Sequence, residues 1–340
     1  MQSPDNLLAD GRDKAKRLQA EIKKVIVGLD DPIEKITLAI FAQGHVMLEG
    51  DVGVGKTTLL RAVARTLGGG YERIEGTIDL MPNDLIYHTY IDEHGKPRVD
   101  PGPLLKNGER LAVFFFNEVN RARPQVHSLL LRVMAERSVS AFNREYRFPY
   151  LQVFADRNRV EKEETFEIPS AARDRFLMEI HIEIPTDPQH RVALIFDPRF
   201  HNVEAMINAL QAAVVPYQSI ATIAQLIQEH IQASPALQHY ALNLWQATRT
   251  PQDFGIHLDG VNMKELVLAG ASTRGMSMLL RAARVRAWLQ GRDYLEPEDL
   301  QDIFHEVIGH RIVFTPIYEL QRESLVKRLS SAILNRISAP

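Results

Sequence analysis

Residues 48–59 read LEGDVGVGKTTL, a stretch that few folds can accommodate. Gly50, Gly55, Lys56 and Thr57 satisfy the pattern G-x-x-x-x-G-K-[ST]. Glycine lets the main chain take positive φ angles and approach a ligand closely. The preceding run HVMLEG is typical of a buried parallel strand, and TTLLRAVARTLG, which follows, has helical periodicity. The sequence therefore predicts a strand, a glycine-rich loop and a helix in this order.

The loop is the predicted binding site of a nucleoside triphosphate. In loops of this pattern, backbone N–H groups converge on phosphate oxygens, the lysine reaches the β and γ phosphates, and the final hydroxyl ligates Mg²⁺. The helix that follows directs the positive end of its dipole at the same charge. The alternative is an ordinary glycine-rich turn. We predict nucleotide contacts along the whole loop, from Gly50, Asp51, Val52, Gly53, Val54, Gly55, Lys56, Thr57 and Thr58.

A second stretch, VFFFNEVNRARP at residues 113–124, bears on whether hydrolysis follows binding. An apolar strand ending in two acidic residues would place one beside Mg²⁺ and the other beside the attacking water. Here the pair is Asn117-Glu118. We expect Glu118 to orient and activate water, and Asn117 to face the metal with a neutral carbonyl, a contact weaker by about 1–3 kcal/mol. Slower turnover is the expectation; the alternative is that the pair has no catalytic role.

Alternating strand and helix patterns predict an α/β fold. A chain of 340 residues favours a main domain and a smaller one. Apolar runs at YERIEG, LAVFFFNE, LQVFAD and FLMEIHIEIP resemble the strand before the loop, so we expect a parallel sheet covered on both faces. After Pro185 the strand pattern disappears and helices are predicted at residues 202–213, 220–232, 234–247, 274–290 and 297–308. We assign residues 1–187 to a nucleotide-binding αβα core and residues 188–340 to a helical domain.

Three further segments have recognisable periodicity. Asp13–Val27 is predicted to form an amphipathic helix at the start of the core. Thr89–Val99 and Val139–Phe148 alternate around central turn residues, so both are predicted to be hairpins projecting from the core.

Composition narrows the class of protein. Hydrophobic residues make up 45% of the chain and charged residues 24%, which is typical of a soluble globular protein. The formal net charge of −3 argues against a nucleic-acid footprint over the whole surface. The absence of cysteine suits a reducing compartment, and no run of residues is apolar enough for a membrane helix. These features predict a cytoplasmic protein without membrane insertion.

The order of motifs resembles the AAA+ ATPases, and within them the MoxR family, relatives of the magnesium-chelatase ATPase subunit. The resemblance runs from KVIVGLDDPIEKITLAI to GHRIVF. GHVMLEGDVGVGKTTLLRAVA is similar to the family's nucleotide loop, with Val52 where proline is usual, and FFFNEVNRARPQVHSLLLRVMAER is similar to its Walker B segment, which normally begins with Asp-Glu. FADRNRVEKEETFEIPSAARDRFLM resembles the sensor 1 and arginine-finger region. LAGASTRGMSMLLRAARVRAWLQGRDYLEPEDL resembles the sensor 2 helix, with Thr273 at a usual proline position.

The resemblance implies a fold and a set of site residues. The fold is an AAA+ P-loop NTPase αβα sandwich with a parallel five-stranded sheet, followed by a smaller all-α lid domain. Asn158 would be the sensor 1 residue that positions water, and Arg274 the sensor 2 residue that contacts the nucleotide from the lid. Arg175 would be the finger that reaches the γ-phosphate of a neighbouring subunit, with Arg173 as the alternative. Val27 and Gly28 match the segment that packs against adenine; the alternative is plain core.

The resemblance also implies function and partners. It implies an ATPase that uses ATP and Mg²⁺, closes as a homo-oligomer in a hexameric ring, and matures client proteins or inserts their metal or cofactor. A protein with a von Willebrand factor A domain is the implied partner, and the two hairpins are candidate client contacts. Two alternatives stay open: a nucleotide-binding scaffold with hydrolysis attenuated at Asn117, and a DNA-associated motor, which the acidic balance disfavours.

Overall fold

The computed structural model describes residues 3–157 and 166–340. The strands are β1 His45–Glu49, β2 Gly70–Glu75, β3 Tyr87–Ile91, β4 Pro97–Pro101, β5 Leu111–Asn117, β6 Ser138–Ala141, β7 Arg144–Arg147, β8 Gln152–Arg157, β9 Phe176–His181, β10 Val267–Ala269 and β11 Val313–Phe314. The helices are α1 Pro4–Lys23, α2 Asp30–Phe41, α3 Lys56–Leu67, α4 Pro103–Lys106, α5 Pro124–Glu136, α6 Ser170–Arg173, α7 Pro188–Phe196, α8 Val203–Ala209, α9 Ile220–His230, α10 Pro235–Arg249, α11 Met263–Leu266, α12 Thr273–Leu289, α13 Pro297–Ile308, α14 Pro316–Glu319 and α15 Arg322–Arg336.

A five-stranded sheet in the order β2-β5-β8-β1-β9 forms the centre of the core. All four neighbouring pairs are parallel, which confirms the predicted sheet. Successive side chains of a strand point to opposite faces. Val46, Leu48 and Phe115 pack with α2 and α3, whereas Met47 and Phe116 pack with α5 on the other face. The sheet is therefore covered on both faces, which explains why the inner strands β1, β5 and β8 are nearly continuous apolar runs. The expectation of a buried strand at YERIEG is wrong, because β2 lies at the edge of the sheet and none of its residues is buried.

Two hairpins stand beside this sheet at the predicted segments. β3 pairs with β4, and β6 pairs with β7, both antiparallel. Their exposed apolar side chains are Tyr90, Ile91, Val99 and Phe142. The rings of Tyr87 and Phe142 lie 4.9 Å apart, so the two hairpins contact each other.

The C-terminal part is mainly helical and packs against the N-terminal helices. Trp288 of α12 lies against Phe41 of α2, with ring centroids 5.0 Å apart, and its Nε1 donates to the carbonyl oxygen of Leu8 at 3.0 Å. One hydrophobic cluster runs from the sheet through α1–α3 into α9–α13 and α15. Among the described residues, no helix combines the length and the apolar composition that a membrane crossing requires.

Two further expectations about elements are wrong. The first helix begins at Pro4, not at Asp13, and ends at Lys23. Gly11 is buried on the extra turns, where a Cβ would lie only 3.2 Å from Ile223, so a small residue allows close helix packing that a search for apolar side chains misses. The segment after Pro185 is also not purely helical, because β10 and β11 form an antiparallel pair.

Candidate nucleotide-binding site

The glycine-rich loop joins β1 to α3 and ends in a bare backbone cradle. Gly50 lies so close to the end of β9 that a Cβ on it would be 2.2 Å from the carbonyl oxygen of Ile182. Gly53 and Gly55 have φ angles of +83° and +89°, and nothing lies within 4 Å of the position of a Cβ on either residue. The backbone thus faces open space at the first turn of α3, where N–H groups have no partner within the helix. This geometry fits a phosphate group.

Lys56 is the first residue of α3, and its side chain is only 10% exposed. Its Nζ donates to the carbonyl oxygen of Gly50 at 2.6 Å and lies 3.0 Å from Oδ2 of Asp156, at the end of β8. Burial raises the pKa of Asp156, while the charge of Lys56 and the backbone N–H of Glu118 lower it. The ammonium group is therefore held at the cradle by a buried carboxylate.

The Walker B-like pair spans the end of β5: Asn117 is the last residue of the strand and Glu118 follows it. The side chain of Asn117 is buried, and its Nδ2 donates to Oε1 of Glu75 on β2. Glu118 adopts a left-handed conformation with φ of 52°, its N–H donates to Oδ1 of Asp156, and its carboxylate lies 2.9 Å from Nη1 of Arg121. A left-handed conformation is uncommon for a residue other than glycine because it costs energy, and residues strained in this way cluster at functional sites.

These residues enclose one cleft of about 430 Å³. Its lining residues are Val52, Gly53, Gly55, Lys56, Thr57, Thr58, Arg73, Glu75, Asn117, Glu118 and Asp156. The cleft thus brings together six of the predicted loop residues, the predicted metal contacts and the predicted base, whereas Gly50, Asp51 and Val54 of the loop are not among its lining residues. The groups of the cleft fit Mg²⁺·ATP: the open backbone and Lys56 could meet phosphate oxygens, and the oxygens of Thr57, Asn117 and Asp156 are hard ligands of the kind that Mg²⁺ prefers.

The predicted arginines contact α5 and the segment that follows α6. Arg175 follows α6 and donates from Nη1 to the carbonyl oxygen of Leu131 on α5. Arg274, in the first turn of α12, donates to Oδ2 of Asp174 at 3.0 Å. Arg173 is the last residue of α6, one position before Asp174. Among the described residues, those that line the cleft include neither Arg175 nor Arg274.

The predicted adenine segment and sensor 1 residue complete the set. Val27 and Gly28 are half-buried, and a Cβ on Gly28 would lie 2.7 Å from Pro185 and 2.9 Å from His190. Because the N–H of Ile182, three residues before Pro185, donates to the carbonyl oxygen of Glu49 at 2.7 Å, this segment leads back to the glycine-rich loop. The sensor 1 prediction, Asn158, directly follows β8 and falls outside the described residues.

A second polar cavity of about 240 Å³ lies between the ends of β1 and β9 and the helices α13 to α15. The ligand atoms of Glu49, Glu179 and His181 lie within 4.8 Å of one another, a spacing compatible with a metal ion. Nη2 of Arg157 already lies 3.2 Å from Glu49 and 2.6 Å from Glu179, and His181 lies 2.6 Å from Glu49. We interpret the cluster as an ion-pair network that ties the strand ends together.

The sequence interpretation missed Asp156, Glu75 and Arg73. Asp156 ends the apolar run LQVFAD, and an acidic residue at the carboxyl end of a buried strand is a signal that could have been used. This signal identifies a site residue only when the strand order is known, because that order places β8 directly between β1 and β5.

Comparison with protein families gives two matches along the chain. Residues 45–178 match the family described as ATPase family associated with various cellular activities (AAA). Residues 262–331 match the AAA lid domain. The first match contains the whole cleft, and the second contains Arg274.

Individual relatives match over most or all of the chain. Protein MoxR of Methylorubrum extorquens is 60% identical to the chain, covering 99% of this chain and 98% of that protein. Chaperone MoxR1 of Mycobacterium tuberculosis is 35% identical, over 87% of this chain and 74% of that protein. A crystal structure of a candidate ATPase from Cytophaga hutchinsonii has a TM-score of 0.83 and 30% identity, over 99% of this chain and 98% of that one.

Proposed function

The chain belongs to the MoxR family of AAA+ ATPases, and from this premise we propose that it binds Mg²⁺·ATP in the cleft beside Lys56 and hydrolyses it. The observation that carries the proposal is the backbone at Gly53 and Gly55, which borders open space directly before the buried Lys56 at the start of α3. An anion placed there meets backbone N–H groups, the helix dipole and one ammonium group.

Each residue of the cleft has a separate role in this proposal. The loop amides and Lys56 bind the phosphate chain and fix its direction. Thr57 and Asn117 would hold the Mg²⁺, which neutralises charge that develops on the phosphates. Glu118 orients a water molecule and accepts its proton, while one of its carboxylate oxygens, Oε2, lies 2.9 Å from Nη1 of Arg121. The buried setting strengthens these contacts because water screens them less.

Arg175 and Arg274 are proposed to act on the nucleotide of a neighbouring subunit. Neither is among the described residues that line the cleft, and Arg274 bonds to Asp174, the residue directly before Arg175, so the two arginines belong to one region. A cation lent by a neighbour stabilises charge on the transferred phosphoryl group and makes assembly a condition for activity. A homo-oligomeric ring, a hexamer in this proposal, provides one such contact for each site.

A chaperone-like role for partner proteins is proposed from the relative named Chaperone MoxR1. The four exposed apolar side chains of the hairpins, Tyr90, Ile91, Val99 and Phe142, are the proposed client contacts. Maturation of a client or insertion of its metal or cofactor, and a von Willebrand factor A domain partner, stay predictions of the family resemblance. A cytoplasmic location stays a prediction from composition.

The first test compares wild type with Glu118→Gln. We expect wild type to hydrolyse ATP and the variant to fall to background, while calorimetry gives similar Mg²⁺·ATP affinities for both, because the substituted amide keeps the shape of the side chain but cannot accept a proton. Background rates in both proteins, or the absence of nucleotide binding in wild type, would contradict the proposal.

The same variant tests the shared site when it is mixed with Arg175→Ala. Each variant alone should be inactive. In mixed rings an Arg175→Ala subunit keeps its own Glu118 and receives Arg175 from a Glu118→Gln neighbour, so activity should return. An Arg173→Ala mixture serves as the matched control, and recovery only with that variant would move the finger to Arg173. No recovery in either mixture would place the arginine function within one chain.

A second candidate function is a nucleotide-gated scaffold with attenuated hydrolysis. It is favoured by the neutral side chain of Asn117, whose amide is already engaged by Glu75. A large gain in ATP hydrolysis on Asn117→Asp would support the scaffold.

A further inference from the structure

Asp156 lies at the end of the strand that separates the glycine-rich loop from the Walker B-like pair. β8 lies between β1 and β5, and Asp156 is in register with Leu48 on β1. Phe116 on β5 is in register with Ala155 on β8, so the next residues, Asn117 and Asp156, also lie side by side. Since Phe154 packs with α3 and Ala155 packs on the other face, Asp156 returns to the α3 side. Asp156 is therefore one strand nearer to Lys56 and Thr57 than Asn117 is.

The carboxylate of Asp156 is 1% exposed, and both of its oxygens face functional groups. Oδ2 lies 3.0 Å from Nζ of Lys56, and Oδ1 accepts the backbone N–H of Glu118. A buried carboxylate needs such partners because desolvation of its charge is costly. Asp156 thus connects the lysine of the loop with the predicted catalytic base, and it lines the same cleft as Thr57.

Asn117 has the opposite arrangement. Its amide nitrogen, a donor, faces Glu75, which also pairs with Arg73 at 2.6 Å. An aspartate at position 117 would stand between the carboxylates of Glu75 and Asp156, and like charges in adjacent positions destabilise one another. The neutral residue on β5 is therefore compatible with a carboxylate on β8.

We propose that Asp156 supplies the carboxylate that positions the divalent cation of the bound nucleotide, so that the negative charge of the metal site lies on β8 instead of β5. This inference rests on the proposed function. When phosphates engage Lys56, the ammonium group gains a second anionic partner, and Asp156 and Thr57 face the same space with oxygen ligands. The proposal makes Asp156 the charged positioning residue for the cation, whereas Asn117, between two carboxylates, offers the cation only a neutral oxygen.

The opposing role for Asp156 is a latch that only neutralises Lys56 before nucleotide arrives. The two roles predict opposite changes in nucleotide affinity in Mg²⁺ when the charge of Asp156 is removed. A latch competes with the phosphates, so removing its charge tightens nucleotide binding with or without Mg²⁺. A cation-positioning residue contributes only when Mg²⁺ is present, so removing its charge weakens binding in Mg²⁺ and leaves binding in EDTA equal or tighter.

The experiment measures calorimetric affinity for the non-hydrolysable ATP analogue adenylyl imidodiphosphate, in Mg²⁺ and in EDTA. Four proteins are compared: wild type, Asp156→Asn, Asn117→Asp and the double variant. We expect Asp156→Asn to lose about tenfold or more of the Mg²⁺-dependent affinity, as for a lost charged contact. Adding Asn117→Asp to Asp156→Asn should restore most of the lost affinity. The affinity gained from Asn117→Asp should be much larger in the Asp156→Asn protein than in the wild-type protein.

Binding of Mn²⁺ with the same analogue, followed by the electron paramagnetic resonance of the ion, gives a readout that does not depend on turnover. Should Asp156→Asn fail to fold, Asp156→Ser and the double variant replace it, with thermal unfolding as the check. Unchanged Mg²⁺ dependence in Asp156→Asn, tighter binding in both conditions, or an equal effect of Asn117→Asp in both backgrounds would overturn the inference. If wild type binds nucleotide with Mg²⁺ dependence in such a case, the proposed function survives; if wild type binds none, both fail.

Discussion

At the scale of single residues, His45 shows how a buried polar group is fixed by its partners. It begins β1 and is 6% exposed. The backbone N–H of Val153 donates to Nδ1 at 3.0 Å, and Nε2 lies 3.2 Å from the carbonyl oxygen of Met134. Both contacts are satisfied by a neutral imidazole that carries its hydrogen on Nε2. Burial lowers the pKa of His45 to about 4.

This arrangement predicts a pH dependence of stability. Because the folded pKa lies below the unfolded value of 6.5, the unfolded chain binds a proton first as the pH falls. The stabilising contribution is complete above pH 6.5 and is lost towards pH 4, by about 3 kcal/mol for this one group. Urea unfolding of wild type and His45→Asn at several pH values measures the effect.

The variant should be less stable at pH 7 but should have a shallower slope between pH 6.5 and 4. The remaining slope includes His310, whose pKa burial lowers well below its usual value. His94→Asn, at the exposed tip of the first hairpin, is the matched control and should keep the wild-type slope. Equal slopes in wild type and His45→Asn would contradict the neutral, buried histidine.

The sequence predicted some residues of the candidate site but not others. The loop residues followed from spacing, because neighbours along the chain stay neighbours in a loop and the first turn of a helix. Asp156 did not follow, because its partners Lys56 and Glu118 lie on two different segments far away in sequence.

At the scale of elements, the cradle and α3 depend on two positive φ angles. Gly55→Ala would place a Cβ in the open space that we assign to phosphate, and would hold alanine at φ of +89°. We expect a loss of about 1 kcal/mol in the free energy of unfolding from the backbone, and a loss of about tenfold or more in ATP affinity. Calorimetry and urea unfolding measure the two effects separately.

Gly95→Ala is the control for this prediction. Gly95 has φ of +75° in the turn of the first hairpin, and nothing lies within 4 Å of the position of a Cβ there. The backbone cost should be similar, with unchanged ATP affinity. Similar affinity losses in both variants would show that strain, not occupation of the cradle, weakens binding.

Element prediction succeeded where one periodicity dominates. α13 has the predicted bounds Pro297–Ile308, since apolar residues recur on one face after a proline at the first turn. β10 and β11 were missed because they have three and two residues, too few for a period. α8 ends at Ala209, before the predicted Ala213, which has a positive φ of 52°.

At the scale of the whole molecule, Asp174 joins the core to the helical part. Ser272 and Arg274, at the start of α12, both donate to its carboxylate, and Nε of Arg311 donates to it at 3.2 Å. The side chain of Arg311 is 1% exposed. Burial lowers its pKa to about 10 although Asp174 opposes this shift. A buried cation at this junction therefore depends on one carboxylate and several carbonyl oxygens.

Asp174→Asn should destabilise this junction. Removing the charge leaves Arg311 buried without its anionic partner, and we expect a loss of about 2 kcal/mol in the free energy of unfolding. Asp302→Asn removes an exposed partner of Arg286 and should cost about 0.5 kcal/mol or less. Urea unfolding of both variants decides; equal losses would mean that Asp174 is no more than a surface contact.

The sequence by itself determined the nucleotide loop, the Walker B-like pair, the parallel sheet and the family, because each is encoded by residues close together in the chain or by an order of motifs along it. Only the tertiary structure decided which distant residues share the cleft. It placed Asp156 beside Lys56, Glu75 beside Asn117, and Asp174 beside Arg274. Strand order and the packing of the lid control these contacts, and both arise from burial summed over the whole chain, which no short pattern records.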